Sequence, residues 1–161
     1  MTREPFAYSN ENCSIARTLD IVGEKWSLLV LREAFYGRRR FDEFARALGC
    51  GRAILTARLN RLVEEGLLAR RPYQEPGERT RHEYRLTGKG VELFPVLLAL
   101  LRWGDRWMAD DDGPPVELLH HGCGEAVSVT MSCAGGHTPL TVFDLDPRPG
   151  PGARLADRHD H

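Results

Sequence analysis

The chain has 161 residues, 42% hydrophobic and 28% charged, an ordinary balance for one globular domain with room for a modest appendage. No apolar run reaches the roughly 18 residues that a helix needs to cross a bilayer, which excludes a membrane-spanning helix. The formal net charge of −1 hides an asymmetry: 16 Lys and Arg against 10 Asp and Glu from Cys13 to Gly90, then 5 against 11 from Val91 to His161. A basic front half suits an anionic partner, the alternative being two halves that merely neutralise each other.

In chain order, the spacing predicts a first helix from Ser14 to Gly23. A second, EKWSLLVLREAFY, stops at Gly37, and Trp26, Leu28, Leu29, Leu31, Ala34 and Phe35 cover enough of its circumference to make it the central buried helix. RRRFDEFARALG follows as a short helix with Phe41, Phe44 and Leu48 inward. After a glycine-containing turn comes RAILTARLNRLVEEG, whose aliphatics Leu55, Leu59 and Leu62 line one face. The opposite face carries Ala53, Ala57 and Asn60, flanked by Thr56 and Arg61. Two helices joined so tightly make a helix-turn-helix. LLARRPYQ and RTRHEYRLT then read as two strands around the Pro-Gly turn EPGE, a wing behind the second helix of the motif.

Thr87 can cap a long helix, GKGVELFPVLLALLRWGDRWM, in which Pro95 either makes a kink or sits in an early turn. Its apolar residues exceed the needs of one small core, so Leu93, Leu97, Leu100, Leu101, Trp103 and Trp107 are expected at a homodimer interface; an amphipathic helix packed on its own core is the alternative. Beyond DDDGPP, AVSVTM and PLTVFDL read as strands joined by a loop rich in Cys, Gly and His, and the end of the chain should be mobile. The expected fold is mainly α (α+β): a winged helix-turn-helix with a long C-terminal dimerisation helix and a small β-hairpin extension. Its divisions are an N-terminal arm 1–12, a DNA-binding and dimerisation domain 13–109, the hairpin 110–146 and a flexible tail 147–161.

Together these motifs resemble the HxlR family of bacterial winged helix-turn-helix regulators, over about Cys13 to Gly104. The resemblance rests on CSIARTLDIVGEKW, RRRFDEFARAL, ILTARLNRLVEEGLLAR and HEYRLTGKG in that order. It implies a homodimeric, DNA-binding transcription factor, usually governing a neighbouring operon. Ser14 stands where family members usually have proline, Gly51 where the recognition helix usually has a serine cap, and the wing turn EPGERT is longer than the usual proline pair.

A helix enters the major groove only if its leading face carries no large aliphatics. Ala53 and Ala57 permit close approach, and Thr56 and Asn60 can hydrogen-bond to bases or phosphates. Arg52 and Arg61 can read guanine or grip the backbone. Arg71, Arg79 and Arg81 are wing candidates, and Arg38, Arg39 and Arg40 precede the motif's first helix. For each arginine the plain alternative is a solvated surface charge. The expected partner is double-stranded DNA carrying an inverted repeat, bound by a homodimer that acts as a repressor.

The resemblance makes Cys13 a candidate sensor of oxidants or electrophiles, at a helix start where the dipole favours a thiolate; a buried structural thiol is the alternative. An apolar small-molecule effector held around Trp26, Phe94, Trp103 and Trp107 is a rival signal. HHGCG and CAGGH bring His120, His121, Cys123, Cys133 and His137 onto neighbouring strand ends. Cys123, Cys133, His121 and His137 are thus zinc candidates, but the spacing is irregular, and a metal-free hairpin or a reversible Cys123–Cys133 pair is preferred. No cofactor is expected. No glycine-rich phosphate loop, H-E-x-x-H motif or nucleophile elbow is present, so no enzyme activity is expected. A winged helix that binds proteins rather than DNA is the remaining rival. MTREPFAYSN lacks the charged-then-apolar pattern of a secretory signal, and the chain is expected in the cytoplasm, so its four cysteines are not read first as structural disulfides.

Overall fold

The computed structural model describes residues 9–154. They divide into two units, one built from 9–87 together with 146–154, the other being Gly88–Leu145. The division falls inside the span 13–109 expected to be one domain, directly after the wing. Residues 1–8 of the expected arm and 155–161 of the expected tail lie outside the described residues.

In the first unit, α1 (Ser14–Val22), α2 (Lys25–Phe35), α3 (Phe41–Leu48) and α4 (Arg52–Glu64) precede the strands β1 (Leu68–Tyr73) and β2 (Arg81–Leu86). The chain between α3 and α4 is only Gly49-Cys50-Gly51. Gly49 adopts φ +62°, a left-handed conformation that closes α3 by an N–H···O bond to Ala45 and that a Cβ would oppose. The core is the apolar face of every element at once: Val30 and Leu31 of α2, Phe44 of α3, and Leu55, Leu59 and Leu62 of α4 have no exposed surface. Each such side chain contributes about 1.5–3 kcal/mol relative to exposure. Leu68 and Tyr84 extend this core to the strands, with the Phe44 and Tyr84 rings edge to face at 6.3 Å.

The strands pair antiparallel, with Leu68 opposite Leu86 and Tyr73 opposite Arg81. Arg70 is therefore opposite Tyr84 and Arg71 opposite Glu83. Since opposed residues share a face, Arg70 is on the core side of the ribbon and Arg71 on the far side.

In the second unit the long helix of the sequence reading is two helices, α5 (Gly88–Val91) and α6 (Phe94–Met108). Pro95 is the reason. It has no N–H to give the Val91 carbonyl, and its ring would strike that carbonyl, so the chain turns and restarts with proline in the first turn. Beyond α6, the two expected strands form no ladder. The segment instead makes two short hydrogen-bonded turns, 118–127 around the Leu119–Ala126 bridge and 131–140 closed by Leu140 N–H to the Met131 carbonyl.

Part of the expected tail makes contacts with the start of the chain. Ser9 N–H donates to the Arg154 carbonyl at 2.9 Å, and the Asn12 amide donates to the Gly152 carbonyl. Residues 147–153 thus lie beside the start of α1, where they border an open hollow of about 410 Å³ lined in part by Cys13.

Candidate nucleic-acid interface

The outer face of α4 is small because its inner face is fully used. Leu55, Leu59 and Leu62 are sealed against α2 and α3, so the same helical step turns Arg52, Ala53, Thr56 and Ala57 to solvent. Ile54, 45% exposed and one turn before Ala57, adds an exposed apolar side chain to this face that the sequence reading missed. The Thr56 hydroxyl donates to the Arg52 carbonyl at 2.8 Å, which ties the side chain to its own helix.

The arginines named from sequence divide by partner. Arg52 bonds Asp42 at 3.2 Å and stacks on Phe41, its guanidinium carbon 4.6 Å from the ring centre. Arg40 pairs with Glu75 at 2.8 Å, a bond that holds its guanidinium even more firmly protonated than usual, and lies over Tyr73. Arg61 pairs with Glu65 and Arg81 with Glu78, both at 2.9 Å. Among the described residues, Arg39, Arg71 and Arg79 have no carboxylate partner within ion-pair distance.

Arg38 also has a task within the fold. It and Arg32 together hold the Glu33 carboxylate, at 2.7 and 2.5 Å, and Glu33 is only 3% exposed. A carboxylate so buried must be paired. Arg38 thus serves the fold, a role its place in an Arg-Arg-Arg run concealed.

Asn60 is half-buried, and its Oδ1 accepts a hydrogen bond from Arg70 of β1. Arg70 also lies over the Tyr84 ring, at 5.8 Å from its centre. The sequence reading chose Arg71 and overlooked Arg70. The alternation of the two strands, with Tyr84 inward, was the signal that distinguishes them.

Arg40, Arg52 and Arg81 converge with Arg46 and His82, which the sequence reading did not choose as site residues, on a hollow of about 430 Å³ between α3 and the wing. Its acidic members are Asp42, the partner of Arg52, and Glu43. The backbone N–H groups of Arg39 and Arg40 donate to Glu43 Oε2 at 2.8 and 2.9 Å, and these bonds hold the carboxyl below the usual carboxylate range. Glu43 thereby fixes the entry to α3 and the direction of the arginines before it.

In the second unit, the residues expected at a dimer interface are unevenly covered. Trp103 and Trp107 are 56% and 64% exposed and Leu100 is exposed, while Leu93, Leu97 and Leu101 are half-buried. Of the zinc candidates, Cys123 has His120, not the expected His121, as its partner, because the turn brings back the first of the two imidazoles; Cys133 has His137.

No helix of the described residues is long and apolar enough to cross a membrane. The HxlR-like helix-turn-helix family matches residues 21–112. An uncharacterized HTH-type transcriptional regulator of Mycobacterium tuberculosis is 47% identical over 148 residues, 91% of this chain and 92% of that protein. The crystal structure of PA1607, a candidate transcription factor, is 37% identical with a TM-score of 0.78, covering 88% of this chain and 97% of the other. The redox regulator HypR in its oxidised form is 30% identical with a TM-score of 0.55, covering 61% of this chain and 100% of the other. These relatives are regulators rather than enzymes. By the match over most of its helices and by its helix-turn-helix with a two-stranded wing, the chain belongs to the HxlR-like helix-turn-helix family of transcriptional regulators.

Proposed function

We propose that the protein is a cytoplasmic, homodimeric repressor that places α4 in the major groove of an inverted-repeat operator. The carrying observation is the outer face of α4: exposed Arg52, Ala53, Thr56 and Ala57 beside an arginine-lined hollow and a basic wing. In this reading the α4 face approaches base edges, while Arg39, Arg40, Arg46, Arg71, Arg79 and Arg81 meet phosphates. The exposed Trp103, Trp107 and Leu100 of α6 supply the dimer contact, so that two α4 helices reach half-sites about one helical turn apart.

The test is footprinting on DNA flanking the protein's own gene. Wild type is expected to protect two half-sites, and Ala57→Asp, which sets a carboxylate against phosphate and base edges without touching the core, to protect neither while melting like wild type. Footprints identical for both proteins would overturn the reading.

A second observation favours a thiol signal. Cys13 is half-buried at the N-cap of α1 and lines the hollow beside residues 147–153, where a small oxidant can reach it. HypR, a redox regulator, is among the similar structures. Operator release by diamide in wild type but not in Cys13→Ser is the expected result, and equal release in both would remove this part of the reading.

A further inference from the structure

The segment after α6 has a physical difficulty that the DNA-binding fold leaves untouched. No side chain from 110 to 145 is buried, and Leu119, Val129, Met131, Val142 and Phe143 are exposed. A small segment without an apolar core needs another staple, a disulfide or a metal.

Its two turns are built alike. In the first, Gly124 N–H donates to the His120 carbonyl, His120 N–H to the Glu125 carbonyl, and Gly124 takes φ +76°. In the second, Gly136 N–H donates to the Cys133 carbonyl, Cys133 N–H to the His137 carbonyl, and Gly136 takes φ +82°. Each turn sets one thiol against one imidazole: His120 Nδ1 is 3.2 Å from Cys123 Sγ, and Cys133 Sγ is 3.2 Å from His137 Nδ1. Sulfur and nitrogen ligands of a tetrahedral zinc lie about 3.5 Å apart, as follows from bond lengths of about 2.3 and 2.0–2.1 Å. Each pair is therefore already near the bite of two zinc ligands.

Glycines guard both pairs. A Cβ at Gly122 would come within 3.0 Å of the His120 ring, and one at Gly135 within 3.4 Å of His137 Nδ1 and 3.6 Å of Cys133 Sγ. Among the described residues, no group of three or more such ligands is gathered at one point, so these are two half-sites.

We infer that His120, Cys123, Cys133 and His137 of one chain together bind one zinc ion. The nine residues between Cys123 and Cys133 form no named strand or helix, so bending them to bring the half-sites together sacrifices little structure. Binding exchanges the two thiol protons and the metal's waters for two Zn–S and two Zn–N bonds, with the protons released to solvent. Arg102 of α6, whose Nε donates to the Val127 carbonyl at 3.0 Å, anchors the connecting segment at its middle.

The test uses the full chain, tag-free and reduced, with zinc measured by mass spectrometry and cobalt(II) as the spectroscopic probe. Wild type is expected to hold one zinc per chain and, with cobalt, to show tetrahedral visible bands and a thiolate charge-transfer band. Cys123→Ser, Cys133→Ser and His120→Ala should each lower zinc content at least tenfold, while His121→Ala and the Cys13→Ser/Cys50→Ser double variant retain it. Circular dichroism on every variant separates ligand loss from loss of the helical unit. A helical wild type that takes up no cobalt overturns the inference. So does zinc retained in both Cys123→Ser and Cys133→Ser, one ion per two chains, or a Cys123–Cys133 disulfide that persists in reductant.

Discussion

Among single residues, the pair Glu33 and Arg38 separates architecture from recognition. If Arg38 serves mainly to neutralise a buried carboxylate, Arg38→Ala should lower unfolding free energy by about 1–2 kcal/mol, Arg32 remaining as a partner. Urea denaturation measures this; unchanged stability with weakened DNA binding would return Arg38 to the interface. Glu43 yields a pH test. Its folded pKa lies below the ordinary, unfolded value of about 4.3, so ionised Glu43 stabilises the fold above that value. This stabilisation is lost as pH falls through the lower, folded value. The melting temperature of wild type should accordingly exceed that of Glu43→Gln at pH 7, and the gap should close as the pH drops below about 4.

For the elements, the sequence disclosed what local periodicity governs. The helices α1 to α4 and both strands fall where the aliphatic spacing and glycines put them, because each apolar stripe has one core to face. Pro95 was visible, but whether it bends a helix or begins one depends on the preceding turn, and the structure takes the second course. The strands expected after Ala126 failed because alternation is a signal only where a partner surface buries one face, and nothing buries this one. At the candidate site, residue types were legible and partners were not: the bond from Arg70 to Asn60 joins two elements through residues ten apart, beyond the reach of helical spacing. That bond makes Asn60 a link between α4 and the wing. Asn60→Ala should weaken operator binding, but Arg70→Ala should weaken it comparably, and the double variant should cost much less than the sum in a gel-shift double-mutant cycle. Full additivity would mean that the two act separately.

At the scale of the whole molecule, the proposed function gives separate tasks to the two halves of the charge asymmetry, operator binding to the basic first unit and dimerisation to the exposed tryptophans of α6. Sedimentation should find a dimer, and Trp103→Glu with Trp107→Glu should yield a monomer with unchanged helical content and operator affinity reduced at least tenfold. Affinity of the wild type should also fall steeply between 50 and 200 mM salt, as expected for several phosphate contacts (about a thousandfold for six).

If the protein works as proposed, the carboxylates paired with Arg40, Arg52, Arg61 and Arg81 bear on how it finds its target. A passing phosphate must first evict Glu75, Asp42, Glu65 or Glu78, so random duplex gains little from brushing against this surface. Only a sequence that also satisfies α4 repays all four evictions. On the proposed function, the expected outcome is a searcher with short dwell times at wrong addresses, leaving few of its copies stranded along the chromosome.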